Sequence, residues 1–408
     1  MIKTYQLLFI SGLFLILCGC KGEKNKVFDE NSETPTTLHL GTIVKETGEE
    51  FLSTITSEIE YVALETTDEA LVGNISRIAR LKNGNLVIGS NQQLLLFGPT
   101  GKFLRPVSRK GNAPMEYNRV GSVVADPQTG GFFLLSTNKI LEFDAQGNYV
   151  NHFPTTDRLM EMAISPEGEL IAHQLSIPKD PRETEPTWFL HRYDRQGNEI
   201  RRYENLTPRM SGENIVSITT PIRPLYRYKG NVRFNEFGND TVFTIETQGL
   251  KPYIILDLGE MRMSGSPEGT INERDAVLSQ INGQLFLTDM QEDEHFFYMI
   301  LSWGFSMKSL FAVYNKETGK ATSFGDGGYI TTDKGLTNDI DGGLPFFPTR
   351  IQADGCRFQW KTVEAFKEAF AEKDVEINKK KYGAHFEKAY RLAQSLDEDD
   401  NPVVIIVR

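Results

Sequence analysis

Cysteine is scarce in this chain of 408 residues: there are three, Cys18, Cys20 and Cys356, too few for a disulfide framework. Histidine is scarce as well. His39, His152, His173, His191, His295 and His385 are scattered, and no pair has the spacing of the common zinc motifs. A metal site cannot be read locally, although a closed fold can gather ligands from distant positions. There is no Gly-x-Ser-x-Gly elbow, P-loop or dinucleotide fingerprint, so hydrolase and nucleotide-binding readings have no footing. Positive charge is in the minority, 44 Lys and Arg against 55 Asp and Glu, for a net charge of −11. That balance disfavours nucleic acid and anionic headgroups as partners, because like charges repel over about a Debye length. The strongly apolar run Leu7 to Leu17, broken by Ser11 and Gly12, falls short of the about 20 residues that a spanning helix needs.

What is present at the N-terminus has the layout of a secretory signal: Lys3, then that apolar run. Residues 1–19 are read as a cleaved signal rather than a retained anchor. The run ends Leu17-Cys18-Gly19-Cys20, which resembles a bacterial lipobox, so Cys20 is expected to carry lipid and form the only membrane attachment. Lys21 offers no evident inner-membrane retention signal, which points to the outer membrane, on a face the sequence does not specify. Residues 20–37, polar and charged, read as the lipidated cysteine and a flexible tether. Processing would leave Cys356 as the one free thiol, in a strand-like stretch that suits a packing cysteine better than a nucleophile.

Beyond Ile55 the chain consists of short apolar stretches separated by Gly-, Asn- and Asp-containing pairs, the pattern of antiparallel strands and hairpins. Two kinds of turn recur. One precedes an apolar strand, at Gly84, Gly131, Gly168, Gly230 and Gly355; the other follows one, at Gly101, Gly147, Gly197, Gly249 and Gly319. In the first four units they alternate at separations of 17, 16, 29 and 19 residues, about right for two strands and a loop. Each unit then holds four strands, with glycine supplying the positive φ of tight turns. A fifth unit has Gln291 to Glu294 where the first glycine is expected, and a sixth ends before its fourth strand. Docking Glu58 to Thr66 as that missing strand would cover an otherwise bare edge and close a ring.

The expected fold is therefore all-β: a six-bladed β-propeller of four-stranded blades over residues 38–408, closed by the N-terminal strand. A two-domain sandwich is the rival. Pro178, Pro181 and Pro186 mark an extended loop, and apolar spacing at Val363, Phe366 and Phe370, then Phe386, Ala389, Tyr390 and Ala393, marks a short helical insertion in the last blade over about 361–396. Arg109, Lys110 and Arg119 form a small basic cluster suited to an anionic ligand or simply to solvent, with Tyr117 beside it as a stacking surface or as packing. Asn338, Asp339 and Asp341 could offer oxygens to calcium but lack the spacing of a calcium loop, and turn formation is the stronger reading.

Three ordered segments carry a resemblance. Tyr61 to Thr67, with Leu71-Val72-Gly73 and Ile75 to Ile78, resembles the opening of the six-bladed propeller lipoproteins of Bacteroidetes type, which are related to NHL-repeat propellers. Arg109 to Tyr117 is similar to that family's Gly-rich loop ending in Glu-Tyr, departing from it at Asn112 to Met115. Asn338 to Pro348 resembles its closing Asp-Gly-Gly-Pro segment. The resemblance covers nearly all of the mature chain; it implies fold and location and supplies no catalytic residue. The expected function is that of an envelope-anchored, non-enzymatic module binding a glycan, peptide or protein, or holding a place in a larger envelope complex, with no cofactor. The alternative, by analogy with other six-bladed propellers alone, is a metal-dependent lactonase- or lyase-like enzyme with a divalent ion such as calcium in its central channel.

Overall fold

Each pair of turns brackets one antiparallel sheet, and six such sheets form the ring of a propeller. The computed structural model describes residues 28–30, 32–43, 45, 47–155, 159–174, 188–206, 215–217, 223–262, 268–279, 281–304, 308–328, 333–371 and 375–408. The signal segment, Cys20 and the three prolines at 178, 181 and 186 lie outside them. Among the described residues no helix is long and apolar enough to cross a membrane.

Blade 1 is Ile75–Arg80, Leu86–Ser90, Gln93–Phe97 and Phe103–Pro106; blade 2 is Ser122–Ala125, Phe132–Leu135, Lys139–Phe143 and Tyr149–Pro154. Blade 3 is Leu159–Ile164, Leu170–Gln174, Trp188–Tyr193 and Glu199–Glu204. Blade 4 is Leu225–Tyr228, Asn231–Asn235, Thr241–Ile245 and Leu250–Asp257, and blade 5 is Leu285–Glu292, Phe296–Trp303, Lys308–Asn315 and Ala321–Gly328. Blade 6 joins Arg350–Ile351, Arg357–Lys361 and Val403–Val407 to Ile59–Ala63 from the other end of the chain. Because strands alternate in direction, both kinds of turn leave each blade on one face, the turn face. Connections between blades cross the opposite, connection face. A ribbon of Ile215–Ser217 with Glu268–Thr270 ties two of those connections together.

The closing strand pairs as the repeat requires, Ile59 opposite Val407 and Ala63 opposite Val403. All five residues of Val403–Val407 are buried, and each such aliphatic side chain contributes about 1.5–3 kcal/mol on leaving water. Asn401 secures the joint. Its Nδ2 donates to the carbonyls of Glu65 (2.8 Å) and Ala70 (2.6 Å), and its Oδ1 accepts from the Val72 amide at 2.7 Å. Gly101 sits against this joint with φ +86°, and a Cβ there would lie 1.9 Å from the Ala63 carbonyl oxygen, so no larger residue fits.

Two turns differ from expectation. Gly249 lacks the positive φ of its counterparts. In blade 5 Asp293 replaces the glycine: its Oδ1 accepts from the amides of His295 and Phe296 at 2.8 Å each, which shapes the turn from the side chain. The tether also requires a correction of its boundary. Phe28 is buried against Tyr253 and Phe297, Glu30 pairs with Lys229 at 2.8 Å, and Thr36–His39 adds a fifth, parallel strand to blade 4. One aromatic ring and a short β-forming run suffice to dock a segment whose average composition is polar. The insertion in blade 6 holds three helices, Val363–Ala369, Val375–Tyr382 and Ala384–Ser395. Phe366, Phe370, Phe386, Ala389 and Ala393 pack with Val403 against the closing strand.

Candidate functional site

The first strand of every blade faces the axis, and together these six strands enclose a cavity of about 300 Å³. Its walls are largely apolar, including Ile78, Val123, Met162, Leu225 and Ile351, as is usual for small-molecule pockets, in which few polar groups fix orientation. Charged side chains are nonetheless set into this lining. Arg77, Arg80, Lys82, Arg227 and Arg350 bring positive charge, against Asp126, Glu161 and Asp354. Of those acids, Asp126 is bound outward by Arg195.

Towards the connection face, Arg350 of blade 6 donates to Glu161 of blade 3 at 2.5 Å, a bridge between opposite blades. Arg223, just ahead of blade 4, reaches Asp289 Oδ2 and the Thr349 carbonyl, each at 3.4 Å. Arg77 donates to the carbonyls of Gly121 and Ser76. No carboxylate pairs with it among the described residues, and burial pulls its guanidinium down to about 10, with Glu161 opposing and Arg350, Arg223 and Arg119 reinforcing the shift. Burial pushes the Asp289 carboxyl up, against the pull of Arg223 and Arg350.

Towards the turn face lies Arg227, on the inner strand of blade 4. Its Nε is buried without a hydrogen-bond partner, burial alone lowers its pKa, and among the described residues it has no ion pair. A partly desolvated guanidinium without an ion pair is costly, so Arg77 and Arg227, which have none among the described residues, make the cavity receptive to an anion in a protein of net charge −11.

The residues singled out from sequence are disposed differently. Arg109 is exposed and pairs with Glu116 at 2.6 Å, and Lys110 is also exposed. Tyr117 is buried at 2 % exposure, and its hydroxyl accepts from the Leu94 amide at 3.0 Å, so it packs the loop and offers no stacking surface. Arg119 turns towards blade 3, donating to the Leu159 carbonyl at 2.8 Å while its buried Nε has no partner. It alone of that cluster approaches the channel arginines.

Asn338, Asp339 and Asp341 are brought together, but for structure. Asp339 accepts from the amide and hydroxyl of Ser53 (2.9 and 2.6 Å). Asp341 accepts from Asn338 Nδ2 (2.7 Å), the Gly343 amide (2.9 Å) and the Tyr61 hydroxyl (2.8 Å). Their oxygens are engaged by donors that tie the closing segment to blade 6. Among the described residues no three His, Cys, Asp or Glu side chains are grouped to hold a metal ion. Cys356 is buried, its thiol raised first by burial, as a packing residue should be.

Sequence reasoning missed Arg77, Glu161, Arg223, Arg227 and Arg350. One signal was available. Arg77, Glu161 and Arg223 each stand seven residues before a first-turn glycine, Gly84, Gly168 and Gly230, a charged position recurring at one phase of the repeat.

The chain belongs to the family described as domain of unknown function (DUF4934), whose model matches residues 35–408. Among solved structures, a Bacteroides fragilis protein assigned as exported aligns over 92 % of this chain and 99 % of its own, with a TM-score of 0.62 at 16 % identity. That likeness concerns the fold. A DUF4221-family member from Bacteroides vulgatus aligns over 67 % of this chain and 88 % of its own at 12 % identity, with a TM-score of 0.47. A streptogramin B lyase aligns over 66 % and 87 % at 12 % identity, with a TM-score of 0.35. Neither of these two supports an argument about activity. No curated protein matches the chain.

Proposed function

We propose, for this member of the DUF4934 family, an envelope-anchored binding module that holds a small ligand in its central channel without transforming it. The observation that supports this reading is the channel itself: about 300 Å³ of mostly apolar space lined by Arg77 and Arg227, which have no ion pair among the described residues. Such a site can orient a ligand. Among the described residues of its lining no nucleophile is paired with a base, the arrangement that covalent catalysis needs. The lipobox-like run ending at Cys20 supports lipid attachment at the outer membrane. Phe28 is seated at the turn face near blades 4 and 5. Eight residues span at most about 29 Å, so an anchor at Cys20 would keep that face close to the bilayer and direct the connection face away from it.

The test is to incubate the purified mature chain with a small-molecule extract of the envelope, separate bound from free by gel filtration, and compare both by mass spectrometry. A compound that co-elutes and is recovered unchanged supports the proposal. Conversion of any extract component, or the absence of any co-eluting compound, contradicts it.

A further inference from the structure

Arg77 and Arg227 stand on blades 1 and 4, opposite walls of one cavity. Arg77 spends two donors on backbone carbonyls; the Arg227 Nε is buried without a partner. Neither has an ion pair among the described residues, whereas Arg350 and Arg223 in the same region have theirs. Both side chains are partly buried, and a partly desolvated guanidinium without a counter-ion costs stability that an added anion can restore. Among the described residues, two of the three carboxylates in the lining are committed to other arginines, Glu161 to Arg350 and Asp126 to Arg195, and the third, Asp354, accepts from the Cys356 amide, so an anionic ligand is the available counter-charge.

The cavity sets the size and character of that supply. About 300 Å³ lies at the small end of the range of small-molecule pockets, which suits one small molecule better than a folded partner. Its walls of Ile78, Val123, Met162, Leu225 and Ile351 favour an apolar body over a polyhydroxylated one. A planar guanidinium fork matches a carboxylate in bidentate geometry.

Resting on the channel reading above, we propose that the natural ligand is a small organic acid with an apolar body and a carboxylate, and that this carboxylate is the counter-ion of Arg77 or Arg227. Free protein then carries an uncompensated charge that the ligand relieves. The device is one of stored instability: the site is kept unsatisfied so that binding an anion satisfies it.

The experiment uses phenylacetate as the probe and phenylacetamide as its uncharged isostere. Calorimetry on the mature chain and its Arg77→Met and Arg227→Met variants is combined with ligand-free melting curves. Saturable binding of phenylacetate is expected, with the amide bound at least about tenfold more weakly, since a charge-assisted hydrogen bond contributes about 1.5–3 kcal/mol. At least one variant should lose that preference. The same variant should melt higher than wild type without ligand, by roughly 2 °C or more, because an unpaired buried charge has been removed. Equal affinity for acid and amide, no binding of either, or a lower melting point in both ligand-free variants would overturn the proposal. If an uncharged compound were instead retained unchanged from an envelope extract, the channel reading would survive while this assignment of the ligand failed.

Discussion

Glu161 of the third blade and Arg350 of the sixth meet at 2.5 Å across the channel, their side chains 10 % and 21 % exposed. Opposite blades of a ring have no backbone hydrogen bonds to each other, so this ion pair is a strut between halves of the molecule. Its surroundings are unbalanced, since Arg77, Arg119 and Arg223 stand nearby. Glu161→Gln takes from Arg350 its carboxylate partner with Arg77, Arg119 and Arg223 nearby, whereas Arg350→Met leaves Glu161 facing Arg77. Denaturant unfolding should show Glu161→Gln costing about 2–4 kcal/mol and Arg350→Met less, with the Glu161→Leu/Arg350→Met pair recovering part of the loss. Equal costs for the two single variants would mean that the neighbouring arginines do not sense the pair.

Asn401 gathers the carbonyls of Glu65 and Ala70 and the amide of Val72. Each buried group left unsatisfied costs about 1–3 kcal/mol. Asn401→Ala is expected to lower stability by about 3 kcal/mol and to expose the edge of blade 6, seen as faster amide exchange over 403–407 and a greater tendency to aggregate. Unchanged exchange there would show that strand pairing alone holds the ring closed.

His173 is buried, and burial first, with His191 adding to it, lowers its pKa from 6.5 to about 3. The unfolded chain therefore takes up a proton before the folded one, and stability should fall as pH drops from about 6.5 towards about 3. Other groups titrate in that window, so the comparison that isolates this one is with His173→Leu. The variant's stability should decline less steeply between pH 6.5 and 4. Parallel curves would place the proton elsewhere.

Burial raises the Cys356 thiol. A thiol-directed reagent such as dithionitrobenzoate should modify the native mature chain only on unfolding, at a rate that follows denaturant concentration. Prompt stoichiometric labelling of native protein would contradict its place in the core between blades 1 and 6.

The blades were legible because their turns are local. Positive φ at Gly84 or Gly168 is a requirement of a few residues of backbone, and the unpaired strand before blade 1 had one place to go. Asp293 shows where that logic stops, because a side chain can shape a turn as well as a glycine can. The channel was less legible. Arg77, Glu161, Arg227 and Arg350 lie in four different blades and become neighbours only when the ring closes, so spacing along the chain says little about their meeting. Conversely, Asn338, Asp339 and Asp341 look like ligands in sequence, yet Asp341 serves the nearby Gly343 amide and the Tyr61 hydroxyl, and Asp339 serves Ser53; Tyr61 and Ser53 are partners that only the fold brings near. Net charge, read over the whole chain, does not reveal that arginines line the channel.

The most direct test of the central claim is anomalous diffraction at the bromine edge from crystals of the mature chain grown with 4-bromophenylacetate. The account predicts one strong bromine peak inside the channel, with the carboxylate within hydrogen-bond distance of Arg77 or Arg227 and the ring against Ile78, Val123 or Leu225. A bromine bound only outside the channel, or a channel left unoccupied at saturating concentration, would contradict it.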